Sequence, residues 1–231
     1  MAIKTVLFDL DGTLIPFTQD DFVKTYFGLL VKKFKKFDPK FVVKAIWEGT
    51  KAMQNNDGTM LNSERFWQVF GKLVPVDLEE ANEVFLDFYA NDFNKTKDLL
   101  GIHANRSLIV NGLKQRGYNV ILATNPLFPP VAVESRLKWI GLDYDDFKYI
   151  TTFENSSYCK PNLNYYKEIL KKFDLEANEC IMIGNNIEED GAAAKLGMDC
   201  FIVEGYIEGT LEGSGLRHGS LNEIFQELIR A

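Results

Sequence analysis

Two aspartates directly follow a short apolar run near the start of the chain, and their spacing suits phosphoryl transfer. The run covers residues 5–9 and ends on Asp9, with Asp11 two positions later. Its β-branched and aromatic residues predict a strand that is buried on both faces. One carboxylate at the end of such a strand has the chemistry to attack phosphorus and form an aspartyl-phosphate. A second carboxylate two residues on has the chemistry of a general acid that later acts as a general base.

Short apolar runs predict three further strands, at residues 119–123, 149–152 and 180–183. Polar side chains follow each of them: Thr124 and Asn125, then Lys160, then the acidic loop 184–190. In open α/β sheets, ligands bind outside the carboxyl ends of the strands. These side chains are therefore expected to meet the two aspartates at one edge of a sheet.

The charges of this set indicate a bound cation. Lysine and hydroxyl donors such as Lys160 and Thr124 balance the charge on phosphoryl oxygens. The aspartates would repel a phosphate without a cation, which implies a hard, oxygen-bound ion such as Mg²⁺. Gly12 lets backbone N–H groups approach a phosphate closely. The residues thus predict a magnesium-assisted phosphoryl-transfer site.

The periodicity of the chain changes twice, which predicts two structural units. From residue 17 to residue 98, apolar and often aromatic residues recur at helical spacing, which predicts a small bundle of four helices. After that, short apolar runs alternate with helical segments, and 200–203 is the last predicted strand. Such alternation is typical of an α/β fold with a parallel sheet covered by helices.

Four segments of the chain resemble the motifs of the haloacid dehalogenase-like (HAD) hydrolase superfamily, in the same order. They are Asp9-Leu10-Asp11-Gly12-Thr13-Leu14, Leu122-Ala123-Thr124-Asn125, Lys160-Pro161 and residues 184–198. The predicted bundle falls between the first two motifs, which is similar to the phosphoglycolate phosphatase and β-phosphoglucomutase type. This resemblance implies a Rossmann-like parallel sheet core at residues 1–16 and 99–231, with an inserted α-helical bundle cap domain at 17–98.

The resemblance also implies a role for each motif residue. Asp9 would be the nucleophile and a metal ligand, and Asp11 the acid/base, with its backbone carbonyl also touching the metal. Lys160 would complete the catalytic set by neutralising the phosphoryl group and steadying Asp9. The predicted phosphate-binding residues are Gly12, Thr124, Asn125 and Lys160. The predicted Mg²⁺-binding residues are Asp9, Asp11, Asn185 and Asp190.

The predicted function is therefore a Mg²⁺-dependent phosphatase that acts on a small phosphorylated metabolite through an aspartyl-phosphate. Family members that displace halide lack an acid at the position of Asp11, which disfavours a dehalogenase. Asn185 departs from the family pattern, which usually has an acid there. A weakly active or non-catalytic phosphoryl-binding protein of the same fold is therefore one alternative. A phosphomutase is another, and no residue in the sequence separates it from a phosphatase.

Other notable residues have structural interpretations. Glu188 and Glu189 are predicted to be charges at the start of a helix, where they complement its dipole. The aromatic residues of the bundle, among them Trp47, Trp67 and Phe70, are predicted to form its core, with one or two facing the site.

Composition limits the partners of the protein. The chain has 231 residues and a net charge of −7, so nucleic acid is not expected as its main partner. It has no apolar run of ~18 residues, no N-terminal pattern of a signal peptide, and three cysteines without CxxC spacing. These features predict a cytoplasmic protein that contacts a small phosphorylated metabolite and no membrane. They leave both a monomer and a homodimer open.

Overall fold

The computed structural model describes residues 2–75, 77–100 and 106–230. Within these ranges, six parallel strands form one sheet with the order β3-β2-β1-β4-β5-β6. The strands are β1 (Thr5–Phe8), β2 (Asn119–Leu122), β3 (Tyr149–Ile150), β4 (Cys180–Gly184), β5 (Asp199–Val203) and β6 (Arg217–Gly219). Because all strands run parallel, their carboxyl ends lie at the same edge.

The central strand β1 determines where a ligand crevice forms. All four of its side chains are buried, as the apolar run predicts. The chain places β2 and β3 on one side of β1, and then β4, β5 and β6 on the other. This reversal of strand order opens a crevice between the carboxyl ends of β1 and β4. Phe8 pairs with Leu122 in β2 and with Ile183 in β4. The residues that follow β1, β2 and β4 therefore lie at the same height along the strand direction.

Helices cover both faces of the sheet. The bundle contains the first four helices of the chain, so the helices of the core are numbered from α5. They are α5 (Arg106–Gln115), α6 (Pro130–Trp139), α7 (Leu163–Phe173) and α8 (Leu221–Arg230). Val6 and Phe8 pack on the side of α5, α6 and α8, in a hydrophobic cluster that continues into the bundle. Leu7 packs on the opposite side, with α7. Burial on both faces explains why the strands read as continuous apolar runs.

The segment between β1 and α5 forms the helical bundle. Its helices are α1 (Gln19–Leu30), α2 (Pro39–Gln54), α3 (Asn62–Leu73) and α4 (Leu78–Ala90), followed by a 3₁₀ segment at Asp92–Leu99. The side chains of Thr18, Asp38 and Asp77 accept N–H groups in the first turns of α1, α2 and α4. Aromatic ring contacts, such as Phe66 with Phe85, join the helices. The structure thus has the predicted fold class, while the limits at residues 17 and 98 stay a prediction.

The start of α3 docks the bundle onto the core next to the crevice. The backbone N–H groups of Asn62 and Ser63 donate to the carbonyls of Ser156 and Phe153, at 2.9 and 2.8 Å. The first N–H groups of a helix have no partner within the helix, so these contacts satisfy them. The bundle is therefore held over the carboxyl edge of the sheet.

Several elements differ from the sequence-based prediction. The prediction that 200–203 is the last strand is wrong, because β6 follows it; β6 is short, polar and at the sheet edge, so it has no apolar run. Helix α6 was not predicted, although Pro129 and Pro130 mark its start. The sequence predicts a helix over residues 190–196, and the structure has a 3₁₀ helix there, at Gly191–Leu196.

Two predictions from composition concern the described part of the chain. None of its helices is long and apolar enough to cross a membrane. The three cysteines, odd in number and without CxxC spacing, predict unpaired thiols, and all three are buried and unpaired in the structure.

Candidate active site

A cleft at the carboxyl ends of β1, β2 and β4 gathers the residues singled out by the sequence. The predicted site residues that line it are Asp9, Asp11, Thr124, Asn125, Asn185 and Asp190. Lys160 lies beneath the cleft with its side chain fully buried. Gly12 lies in the turn after β1, against Asn185. The structure therefore brings all the predicted residues to one place, and their roles remain predictions.

Lys160 joins two of the carboxylates. Its Nζ donates to Asp9 Oδ1 at 2.8 Å and to Asp190 Oδ1 at 2.7 Å. Burial alone would lower the pKa of Lys160, but the charges of Asp190 and Asp9 raise it well above its ordinary value. The lysine is therefore an ammonium ion that fixes the orientation of both side chains.

The loop after β4 is organised around Asp190. Its Oδ2 accepts the backbone N–H groups of Asn185 and Asn186, at 3.0 and 2.9 Å. Gly184 packs directly against this carboxylate, and a Cβ there would lie 2.0 Å from Oδ2. The side chain of Asp190 does not cap the 3₁₀ helix that follows. Asp190 instead holds the loop and Lys160 at the same time.

Asn185 faces the turn after β1. Its Nδ2 donates to the Tyr206 carbonyl at 2.7 Å, and its Oδ1 accepts from the Thr13 hydroxyl at 3.2 Å. The same hydroxyl lies 3.3 Å from Asp9 Oδ2, so Thr13 links the ends of β1 and β4. Gly12 has a φ of +78°, and a Cβ on it would lie 2.2 Å from Asn185 Nδ2. Only glycine fits this turn, for reasons of both conformation and space.

Sequence reasoning missed Arg136, which is fully buried and pairs with Asp11. Its Nη1 donates to Asp11 Oδ2 at 2.5 Å, and its guanidinium lies 4.4 Å from the centre of the Phe128 ring. Arg136 is spaced three and four residues from the buried Val133 and Ala132 of α6. A lone arginine on the apolar face of a helix needs an anionic partner, and this signal could have found it.

Sequence reasoning also misassigned Glu189. This residue was predicted, with Glu188, to be a charge at a helix start, but it lines the cleft. Its Oε2 accepts from Asn125 Nδ2 at 2.9 Å. Asn125 Oδ1 is buried and has no hydrogen-bond partner within the described ranges. Glu189 therefore fixes how the Asn125 amide is turned in the site.

The oxygen donors of the cleft fit a small, hard cation. Oxygens of Asp9, Asp11 and Asn185 border it, and Asp11 Oδ1 is buried without a partner among the described atoms. In the part of the chain that the structure describes, no three Asp, Glu, His or Cys side chains form a ready-made metal cage. Mg²⁺ needs no such cage, since it keeps several waters and usually takes one or two carboxylates. The donor set thus fits Mg²⁺ better than it fits zinc, which favours nitrogen and sulfur ligands.

Burial affects the protonation of the acidic groups. It raises the pKa of Asp9 to about 7 against the opposing charge of Lys160, and the neighbouring Asp190 and Asp11 raise it further. Burial also raises the pKa of Glu189 to about 7, although the positive charge of Lys160 acts in the opposite direction. Both acids bind a proton more tightly in the folded protein than in the unfolded chain, where Asp and Glu titrate near 4.

Without divalent cations, the free energy of unfolding is therefore expected to fall as pH rises from about 4 to about 7. In this window the folded state holds more protons than the unfolded state, and stability then decreases with pH. Urea unfolding in EDTA at a series of pH values measures this trend. Asp9→Asn and Glu189→Gln should each make the fall shallower. A urea concentration at the unfolding midpoint that rises between about pH 4 and pH 7 would contradict the buried environments assigned to Asp9 and Glu189.

Sequence comparisons find relatives of modest identity. The chain is 29% identical over 133 residues to YhcW of Bacillus subtilis (strain 168), which covers 58% of this chain and 57% of that protein. It is 29% identical over 147 residues to the sesquiterpene phosphatase astK of Aspergillus oryzae, and the match covers 61% of this chain and 73% of astK. It is 26% identical over 189 residues to the pyrophosphatase PpaX of Bacillus cereus, and the match covers 80% of this chain and 76% of PpaX. The chain thus spans little more than half the length of YhcW.

The fold is similar to that of solved structures. A HAD phosphatase from Thermococcus onnurineus superimposes with a TM-score of 0.62 at 18% identity, covering 98% of each chain. The family model for haloacid dehalogenase-like hydrolases matches residues 3–198. These residues contain β1 to β4, the bundle and all the predicted site residues. The match over residues 3–198 therefore shows that the chain belongs to the haloacid dehalogenase-like hydrolase family.

Proposed function

We propose that the protein is a Mg²⁺-dependent phosphatase that hydrolyses a phosphate monoester through an aspartyl-phosphate on Asp9. The observation that carries this proposal is the buried Lys160, which holds Asp9 at 2.8 Å in a cleft that Asp11 also lines. A carboxylate fixed by a cation beside a second carboxylate suits nucleophilic attack with acid/base assistance. Thr124 and Asn125 border the same cleft and would hold the phosphoryl oxygens.

In the first half-reaction, a carboxylate oxygen of Asp9 attacks phosphorus while the bond from phosphorus to the ester oxygen breaks. Asp11 gives its proton to that departing oxygen, which leaves as an alcohol. Burial raises the pKa of Asp11 despite the opposing charge of Arg136, so Asp11 keeps this proton to higher pH than a free aspartate. The positive charge of Lys160 offsets the charge that gathers on the phosphoryl oxygens.

In the second half-reaction, water attacks the phosphorus of the aspartyl-phosphate, and Asp11 accepts a proton from that water. The Asp9 carboxylate is released together with inorganic phosphate, and Asp11 is ready for the next cycle. Mg²⁺ would be held by Asp9, the Asp11 carbonyl and Asn185, with Asp190 supporting the loop, and would supply charge neutralisation for the phosphoryl group.

The names of the relatives support this function without fixing one substrate. YhcW is named as a phosphatase with no substrate, astK as a sesquiterpene phosphatase and PpaX as a pyrophosphatase. The shared chemistry is hydrolysis at phosphorus. The substrate of this chain must therefore be inferred from its own residues.

Turnover of p-nitrophenyl phosphate with Mg²⁺, and its loss in EDTA, tests the proposed function. Recovery of activity when Mg²⁺ is added back is the expected result. A protein that binds inorganic phosphate but releases no p-nitrophenol under any of these conditions would instead be a non-catalytic binding protein.

Changes in the loop after β4 are expected to alter the Mg²⁺ concentration for half-maximal activity. Asn185→Asp should lower it about tenfold, because a full charge replaces an amide dipole; most of the ~4 kcal/mol Coulomb energy is cancelled by desolvation. Asp190→Asn should raise it, because the loop and Lys160 lose a charged anchor. Titration of activity with Mg²⁺ measures both shifts.

Glu188→Gln is the matched control for these variants. Glu188 lies in the same loop but its side chain is exposed, so the half-saturating Mg²⁺ concentration should stay at the wild-type value. Asn185→Asp also forfeits the 2.7 Å hydrogen bond to the Tyr206 carbonyl, so its stability without Mg²⁺ should fall. Equal half-saturation in wild type and all variants would show that this loop does not hold the metal.

A further inference from the structure

A cavity lined mainly by aromatic side chains lies beside Asp11, between the bundle and the core. It contains about 880 Å³ of space, including its open mouth. Aromatic residues of its wall include Phe22, Tyr26, Trp47, Trp67, Phe85 and Phe128. Trp47 is 46% exposed and borders this cavity, so it does not belong to the bundle core, whereas the prediction allowed one or two of these aromatic residues to face the site. Phe70, in contrast, is fully buried, as predicted.

The aromatic cavity is joined to the catalytic cleft. Asp11, Gln19, Leu127 and Phe128 line both spaces. In the proposed reaction, Asp11 protonates the oxygen that leaves phosphorus. The atoms attached to that oxygen must then extend past Asp11, and the aromatic cavity is the space that continues there.

The wall of the aromatic cavity is mainly apolar, and its neutral polar side chains besides two tyrosines are those of Gln19, Thr50 and Asn82 within the described ranges. The hydroxyls of Tyr26 and Tyr89 lie 2.8 Å apart and bond to each other. Within the described ranges, the charged side chains of its wall are those of Asp11 and Glu154, and no lysine or arginine lines it. This mainly apolar wall offers the hydroxyls of a sugar less hydrogen bonding than water does, and a second anionic group would face carboxylates without a cation.

We propose that the substrate is the phosphate monoester of a hydrophobic alcohol, whose hydrocarbon part fills the aromatic cavity. This inference rests on the proposed phosphatase function and specifies its substrate class. Burial of a hydrocarbon against aromatic rings supplies binding free energy that a polar metabolite would not gain there.

A series of n-alkyl monophosphates from ethyl to octyl tests the proposal, with p-nitrophenyl phosphate as a reference. Each added methylene should raise kcat/KM roughly two- to fourfold. This factor is about what the free energy of burying one CH₂ group gives when it is converted into a ratio of rates. Glucose 6-phosphate and pyrophosphate should be poorer substrates than octyl phosphate. Values that stay flat or fall with chain length, while p-nitrophenyl phosphate is hydrolysed, would overturn the substrate class and leave the phosphatase function standing.

Trp47→Ala tests whether the aromatic cavity is the binding space, with Phe41→Ala as its matched control. Both residues lie on α2 and are partly exposed, but Phe41 does not line the cavity. The ratio of kcat/KM for octyl to that for ethyl phosphate should fall about tenfold in Trp47→Ala. It should keep its wild-type value in Phe41→Ala. Equal ratios in all three proteins would overturn the placement of the hydrocarbon.

A binding measurement separates failure of this inference from failure of the proposed function. Trp47 and Trp67 both line the aromatic cavity, so octyl phosphate should change tryptophan fluorescence. In Asp9→Asn, where no turnover consumes the ligand, octyl phosphate should bind at least about tenfold more tightly than ethyl phosphate. If no ester is hydrolysed but this preference is seen, the proposed function fails and the hydrophobic specificity stands. Equal binding of the two esters overturns the inference whatever the activity.

Discussion

Replacement of Asp9 by asparagine is expected to lower turnover of p-nitrophenyl phosphate by roughly 10³- to 10⁶-fold, the range seen when an enzyme loses its nucleophile. An amide oxygen is a far poorer nucleophile than a carboxylate, and one negative charge at the metal site is lost. The fold should remain, because burial raises the pKa of Asp9 and so disfavours the charge that the variant removes. Steady-state kinetics and circular dichroism on the same preparation measure the two effects.

Asp20→Asn is the matched control, since Asp20 is an exposed aspartate at the start of α1. It should keep wild-type turnover. Acid quenching during turnover of a phosphorus-labelled ester should leave label on the wild-type protein and none on Asp9→Asn. Wild-type activity in a folded Asp9→Asn protein would remove Asp9 as the nucleophile. Label that persists in this variant would place the phosphoryl group on a different residue.

The fold class follows from the sequence where burial makes a simple pattern. Apart from the partly buried first residues of β2 and β5, the strands β1, β2, β4 and β5 are buried on both faces, and each appears in the sequence as a mainly apolar run. β6 has the sequence Arg217-His218-Gly219 and forms only because β5 offers an edge to pair with. Its formation depends on a neighbour distant in sequence, and local periodicity does not report such a neighbour.

The first helix of the bundle shows a second limit of periodicity. In the sequence, an apolar stripe at helical spacing begins at Val23 and continues through Phe34 and Phe37, but α1 ends at Leu30. After it, the N–H groups of Lys33 and Phe34 donate to carbonyls three residues earlier, so the chain tightens into turns. Phe34 is nevertheless buried. Lys33 also pairs with Asp87 and Asp92, which helps to hold these turns in place.

The sequence predicts the site residues that directly follow strands. It does not predict residues whose place in the site depends on contacts with distant parts of the chain. Asp9 and Lys160 have recognisable positions in the sequence. Arg136 contacts Asp11 from a position 125 residues away, and its role depends on how α6 packs. Glu189 enters the cleft because the chain turns tightly from Asn186 to Asp190, whose N–H donates to the Asn186 carbonyl. Such pairings are set by tertiary geometry, so residue type and spacing alone did not identify them.

Lys160→Met is expected to lower both stability and turnover at neutral pH. Methionine fills a similar volume but leaves Asp9 and Asp190, both buried, without the cation that separates them. Breaking a buried ion pair by removal of one partner costs roughly 3–5 kcal/mol. The loss should be larger at pH 8 than at pH 5, because protonation of Asp9 relieves the repulsion at low pH. Urea unfolding at the two pH values measures it.

Two further variants test whether this loss comes from uncompensated charge. Lys167→Met changes an exposed lysine on α7 and should alter stability by no more than about 0.5 kcal/mol. Lys160→Met combined with Asp9→Asn should be more stable than Lys160→Met alone, because one of the two facing carboxylates is then neutral. Additive effects in this cycle would mean that Lys160 does not stabilise the fold through its ion pair with Asp9. A positive coupling that disappears at pH 5 would identify the charge of Lys160 as what holds the Asp9 carboxylate ionised for attack on phosphorus.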